Sequence, residues 1–167
     1  MAAHRPPAKA RRRGIALLEA LIAILLLSAG ALAYAALQVK GLKGNHSALW
    51  RSKATLLAYD MADRMRANHA GLLAGNYNAL TTPQTITDCG VTADCLPARM
   101  ALLDYDQWST TLGRELPAGV GVICLDATPD DGTAAATGCD GSGSMLAVKV
   151  FWSEGGTPSR LAVGVRP

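Results

Sequence analysis

The chain has 167 residues, half of them hydrophobic, with a formal net charge of +3. That length fits one globular domain of modest size plus an anchor, with a core small enough to profit from covalent staples. The charge is uneven: residues 1–14 hold Arg5, Lys9, Arg11, Arg12 and Arg13 and no acid, residues 38–69 six basic and two acidic side chains, and residues 70–167 five basic and ten acidic. An acidic head on a basic stalk gives no footprint for nucleic acid, and the basic start reads as an orientation signal.

Residues 1–14, with Pro6 and Pro7, read as a leader to be set apart from the fold. Residues 15–37 form an almost unbroken apolar run in which Glu19 is the one ionisable side chain before Tyr34. As a helix this run covers roughly 34 Å, enough to span a bilayer. The arginines on its N-terminal flank place that end in the cytoplasm and send the rest across. Glu19 is the anomaly, because a carboxylate in the first turns of a membrane helix is costly and therefore a functional candidate. The run admits an uncleaved single-span anchor, or a secretory signal cut after Ala29-Gly30-Ala31 or Ala31-Leu32-Ala33. Neither fate has a use for an acid at position 19.

No proline interrupts the stretch between Pro7 and Pro83. Ala54, Leu57, Met61, Met65 and Leu72 keep to one helical face, and Asp60 and Arg64 are spaced as a surface pair. One long helix from 15 to about 69 is expected, with Gly30, Gly41 and Gly44 as weak points costing up to ~1 kcal/mol each. Gly71 is expected to close it in the left-handed conformation. Residues 72–97, rich in Gly, Asn, Thr and Asp, read as a loop region that stays out of the core.

Residues 98–116 read as a second helix, since Ala101, Tyr105, Trp108, Leu112 and Leu116 share a face and Pro117 ends it. Tyr105 and Trp108 would suit a ligand platform, but at this spacing they are expected in the core. Residues 120–125 read as a strand, followed by a turn-rich loop to Gly143. Leu146, Val148, Val150 and Trp152 then alternate with Met145, Ala147, Lys149 and Phe151; Gly155-Gly156 makes a turn, and Leu161, Val163 and Val165 form the last run. The fold class expected is α+β, an antiparallel sheet with one face on the helices.

Cys89, Cys95, Cys124 and Cys139 all follow the apolar run, on the oxidising side if the orientation holds. Of the three possible pairings, Cys89–Cys95 and Cys124–Cys139 is favoured, each closing a short polar loop. Neither spacing suits a zinc knuckle, and His4, His46 and His69 lie far from the cysteines. Asp126, Asp130, Asp131 and Gly132 make only an incomplete calcium loop and are read as a solvated turn. Asp104 and Asp106 do not share a helix face. No catalytic residue, metal or cofactor is expected.

Gly14-Ile15-Ala16-Leu17-Leu18-Glu19 after a basic leader resembles the class III signal of type IV pilins, typically Gly-Phe-Thr-Leu-Ile-Glu. Ile15 departs from the usual phenylalanine or methionine. The order of long helix, loop region and small antiparallel sheet is similar to the layout of these pilins and of type II secretion pseudopilins. Residues 45–60 (Asn-His-Ser-Ala-Leu-Trp-Arg-Ser-Lys-Ala-Thr-Leu-Leu-Ala-Tyr-Asp), 63–68 (Asp-Arg-Met-Arg-Ala-Asn), Tyr105-Asp-Gln-Trp108, Leu116-Pro117 and 148–154 resemble one subgroup, the PilV-type minor pilins.

The resemblance implies a leader at 1–14, cleaved between Gly14 and Ile15 on the cytoplasmic side by a peptidase that also N-methylates Ile15. It implies a filament-core and transmembrane half of the helix at 15–37, an amphipathic half at 38–69 and a periplasmic head at 70–167. Glu19 would meet the N-terminal cation of a neighbouring subunit during assembly. The partners implied are other minor pilins, the major pilin, the prepilin peptidase/N-methyltransferase and the inner-membrane assembly platform, with no nucleic acid. The role implied is in priming the pilus, with a place at its tip and a part in twitching motility and adhesion. A type II secretion pseudopilin, a secreted disulfide-bonded binding module and a membrane-anchored enzyme are the competing readings.

Overall fold

The computed structural model describes residues 13–87, 89 and 95–167. Most of the expected leader, residues 1–12, lies outside the described residues. The chain forms two compact units, Met1–Asn45 and His46–Pro167. Helix α1 (Arg13–Ala67) contributes to both. In the first unit it runs unbroken through Gly30, Gly41 and Gly44, and every described side chain there is exposed.

In the second unit α1 ends at Ala67, within two residues of the expected limit. Asn68 leaves helical geometry (φ −92°, ψ 58°) and its Oδ1 accepts the Gly71 N–H at 3.2 Å, capping the short α2 (His69–Leu73). The side chain thus supplies an acceptor that the helix-start N–H groups lack. Gly71 does not close a helix. It lies buried inside α2, where a Cβ would strike the Asn68 amide, and the left-handed residue is Gly75 at φ +73°.

Residues 72–97 also depart from expectation, because Leu72, Tyr77 and Leu80 are buried. Leu80 exchanges two backbone hydrogen bonds with Ile123, of 3.0 and 3.1 Å. This bridge to β1 brings the Leu80 side chain into the core, while its neighbours Ala79 and Thr81 stay exposed. Helix α3 (Pro97–Glu115) starts with proline in its first turn and stops before Pro117. Three strands, β1 (Val120–Leu125), β2 (Leu146–Glu154) and β3 (Thr157–Val165), form an antiparallel sheet in the order β1-β2-β3. Gly155 and Gly156, at φ +59° and +90°, make the two-residue turn between β2 and β3.

Register sets the core. Ile123, Val148 and Val163 lie abreast, as do Val150 and Leu161, and Leu146 and Val165. This face packs with Ala54, Ala58, Met61 and Met65 of α1 and Ala101, Tyr105, Trp108 and Leu112 of α3. Alanines four apart on α1 let neighbouring elements approach closely. The Trp108 indole N–H donates to the Leu57 carbonyl at 2.8 Å, and the Tyr105 hydroxyl to the Gly121 carbonyl at 2.8 Å. Both rings are core, and Tyr105, with its hydroxyl desolvated, has its pKa pushed up to about 12. The opposite sheet face is not open to solvent: Val122, Cys124, Lys149 and Phe151 are buried there too.

Candidate assembly site

The first turns of α1 place Ile15, Leu18, Glu19, Ile22, Ala23 and Leu26 together along one stripe, the geometry of three- and four-residue steps. Glu19 is exposed, and so are its apolar neighbours; farther along, Leu27 is 75 % exposed. Among the described residues α1 is the one helix long and apolar enough to cross a membrane. A bare apolar surface of this extent calls for lipid or other helices. Gly14 and Ile15 stand about one turn before Glu19 on the same helix. The arrangement offers an apolar surface for association, with one exposed carboxylate set within it.

The second unit is fastened by a polar joint. Arg64 Nε bonds Asp60 Oδ2 at 3.0 Å, its Nη1 donates to Gln107 Oε1 at 3.1 Å, and Nη1 lies 3.6 Å from Asp104 Oδ1. The Tyr77 hydroxyl donates to Asp104 Oδ2 at 2.6 Å and accepts from Asn68 Nδ2 at 3.0 Å. Asn68 Nδ2 also donates to the Pro97 carbonyl at 2.8 Å. Burial raises the Asp104 pKa, and the Tyr77 hydrogen bond and Arg64 charge offset this only in part. Burial, reinforced by the bond to Asp104, also drives the Tyr77 phenol far up, so it stays a donor. Asn68 therefore holds together the end of α1, the cap of α2 and the start of α3. Asn68→Ala is expected to cost about 1 kcal/mol through the lost cap; an unchanged urea midpoint would show the cap to be idle.

Disulfides join Cys89 to Cys95 and Cys124 to Cys139. Asp126 is no solvated turn residue: it is 1 % exposed and faces the buried Lys149. The alternation along β2 marked Lys149 as lying opposite the core face, yet only the fold shows that face to be covered. Asn68, Tyr77, Asp104 and Lys149 carry the internal polar structure; sequence alone assigns Asn68, Tyr77 and Lys149 no such role and sets Asp104 aside with Asp106. A lone lysine in the apolar run 146–152, near four loop aspartates, was the available signal.

An exposed apolar helix, long enough to cross a membrane, continues into a small disulfide-bonded α+β unit. The family described as Tt1218-like, type IV pilin Tt1218, matches residues 36–108. No curated protein and no solved structure matches the chain. Over residues 36–108, less than half of its length, the chain is similar to a type IV pilin family, which is structural and non-enzymatic. The match begins after the Gly14–Glu19 motif and contains the whole Asp60–Arg64–Asn68–Tyr77–Asp104 joint.

Proposed function

We propose that the protein is a minor pilin of the type IV pilus, of the PilV type, built into the complex that primes assembly and retained at the tip. The observation that carries this reading is the exposed Glu19 on the apolar stripe of α1, five residues after Gly14. The leader 1–14 is removed between Gly14 and Ile15, and Ile15 is N-methylated. Residues 15–37 hold the chain in the inner membrane and later enter the filament core, residues 38–69 form the stalk, and residues 70–167 lie in the periplasm. The partners are other minor pilins, the major pilin, the prepilin peptidase and the assembly platform. Pilus biogenesis, twitching motility and adhesion depend on it through these contacts.

The physical logic is neutralisation. An isolated ionised carboxylate in hydrocarbon is strongly disfavoured, whereas a neighbour's α-ammonium can pair with it and fix axial register. Glu19→Gln should leave the protein cleaved and membrane-bound. Its recovery in sheared pili should fall about tenfold or more, since a truncated buried charge pair costs a few kcal/mol. N-terminal peptide mapping and immunoblots of the sheared fraction provide the check. Normal recovery would remove Glu19 from assembly, and co-purification with secretion rather than pilus components would make the protein a pseudopilin.

A further inference from the structure

Residues 126–143 join β1 to β2 and cover the sheet face opposite the core. This loop holds Asp126, Asp130, Asp131 and Asp140 and no basic residue. It is tied to all three strands. Cys139 bonds Cys124 of β1, Lys149 of β2 reaches into the loop, and Arg160 of β3 holds Asp130, with Nε 3.2 Å from Oδ1 and Nη2 2.7 Å from the carbonyl.

The Lys149 ammonium is the centre. It lies against Asp126 Oδ2, with Asp131 Oδ1 at 2.8 Å, the Thr137 carbonyl at 3.0 Å and the Gly138 carbonyl at 3.3 Å. Burial pulls the Lys149 pKa down, but the hydrogen bonds and charges of Asp126 and Asp131 outweigh it and leave it above the ordinary lysine value. Asp126 Oδ1 takes the Thr128 N–H at 2.9 Å, while Oδ2 has the Lys149 ammonium as its partner. The backbone closes tightly on this point. Gly132 (φ +82°) and Gly138 (φ +71°) take left-handed conformations, and a Cβ would strike the Thr137 carbonyl from Gly132 and the Asp131 carboxylate from Gly138. Two carboxylates and two carbonyls, all from one loop and converging on one positive charge, are the donor set of a hard cation.

We infer that Lys149 is a built-in counter-ion standing where a divalent cation would otherwise close this loop, and that removing its side chain opens a calcium-binding cradle. The competing account is that Lys149 merely fills space under a loop held by the disulfide and Arg160. The two differ in what calcium does. With the ammonium in place, the cradle is filled and metal has no purchase. Without it, the buried Asp126 carboxylate and the half-exposed Asp131 carboxylate lose the ammonium that both face, and a calcium ion can supply the charge and take water as its remaining ligands. Four protein oxygens make a weak site, with a Kd of about 10⁻³ M.

The experiment uses the full chain in neutral detergent, with the disulfides intact, and compares wild type, Lys149→Ala and the pair Lys149→Ala with Asp126→Asn. Melting is followed in chelator and in millimolar calcium chloride, and calcium binding is titrated by calorimetry. The expected result is a wild type indifferent to calcium and a Lys149→Ala variant that melts lower in chelator. Calcium should raise its Tm by several degrees with one ion bound, and Asp126→Asn should weaken that binding at least about tenfold. If Lys149→Ala does not fold in chelator, refolding in calcium is expected to recover it. A Lys149→Ala variant that gains no stability from calcium, that fails to refold in it, or that responds no more than wild type would overturn the inference.

Discussion

Trp108→Ala is expected to destabilise the second unit by about 3–5 kcal/mol, the usual cost of emptying a large aromatic site. Trp108 is 1 % exposed and sits midway along α3, where it bridges three elements. Its ring lies 6.0 Å from that of Tyr105, centroid to centroid, and its N–H reaches the Leu57 carbonyl of α1. Gly121 of β1 is flush against the ring, so close that a Cβ there would enter it. Alanine leaves a void that neither helix nor strand can fill, because α1 and α3 are rigid along this contact and Gly121 has no side chain to swing in. Against a total stability of about 5–15 kcal/mol for an ordinary domain, the loss is a large fraction. Trp108→Phe keeps most of the ring contact and gives up the N–H bond, and it should cost clearly less. Urea unfolding followed by far-ultraviolet circular dichroism measures both. A Trp108→Ala midpoint equal to that of wild type would place the centre of the core elsewhere.

What sequence made legible follows from repetition. The core face of α3 recurs through Ala101, Tyr105, Trp108 and Leu112, so its limits were readable to within a residue, Pro97–Glu115 against the expected 98–116. β1 and the β2–β3 turn were equally plain, because a two-residue period and a Gly-Gly pair leave few alternatives. The end of α1 was readable to within two residues, Ala67 against about 69, but its cause was hidden: helical periodicity carries on through Leu72, and the asparagine's competing hydrogen bonds to Gly71, Tyr77 and Pro97 end the helix. Leu80 was hidden because loop composition says nothing of the strand edge it lands on. Lys149 was hidden for a sharper reason. Period-two alternation assigns it a face but not a covering, and its four oxygen partners come from residues 11 to 23 positions earlier in a loop with no periodicity at all. Glu19 is the reverse case, since it stands out in sequence while the fold of a single chain leaves it exposed on the apolar stripe of α1.

Replacing Cys124 and Cys139 together by alanine is expected to cost about 3 kcal/mol, against about 2 kcal/mol for Cys89 and Cys95, on loop-closure entropy alone. The sequence separations are 15 and 6 residues, so the first bond removes more freedom from the unfolded chain. Packing widens the gap. Cys124 is buried with Val122 and Phe151, and Cys139 packs on that cluster. The Cys124–Cys139 bond also holds the loop beside Thr137 and Gly138, whose carbonyls face Lys149. Disulfide and ammonium therefore fix the same strap from neighbouring points, and their contributions should not add. A double-mutant cycle between the cysteine pair and Lys149→Ala should return a coupling of about 0.5–3 kcal/mol, because a strap already loosened at one tie loses less when the second is cut. Urea midpoints for the four proteins supply the cycle, and amide exchange across residues 126–143 shows where the loosening falls. Strict additivity would mean that the disulfide and the buried charge stabilise the loop separately, and an equal loss for the two cysteine pairs would mean that the outer sheet face contributes little beyond chain entropy.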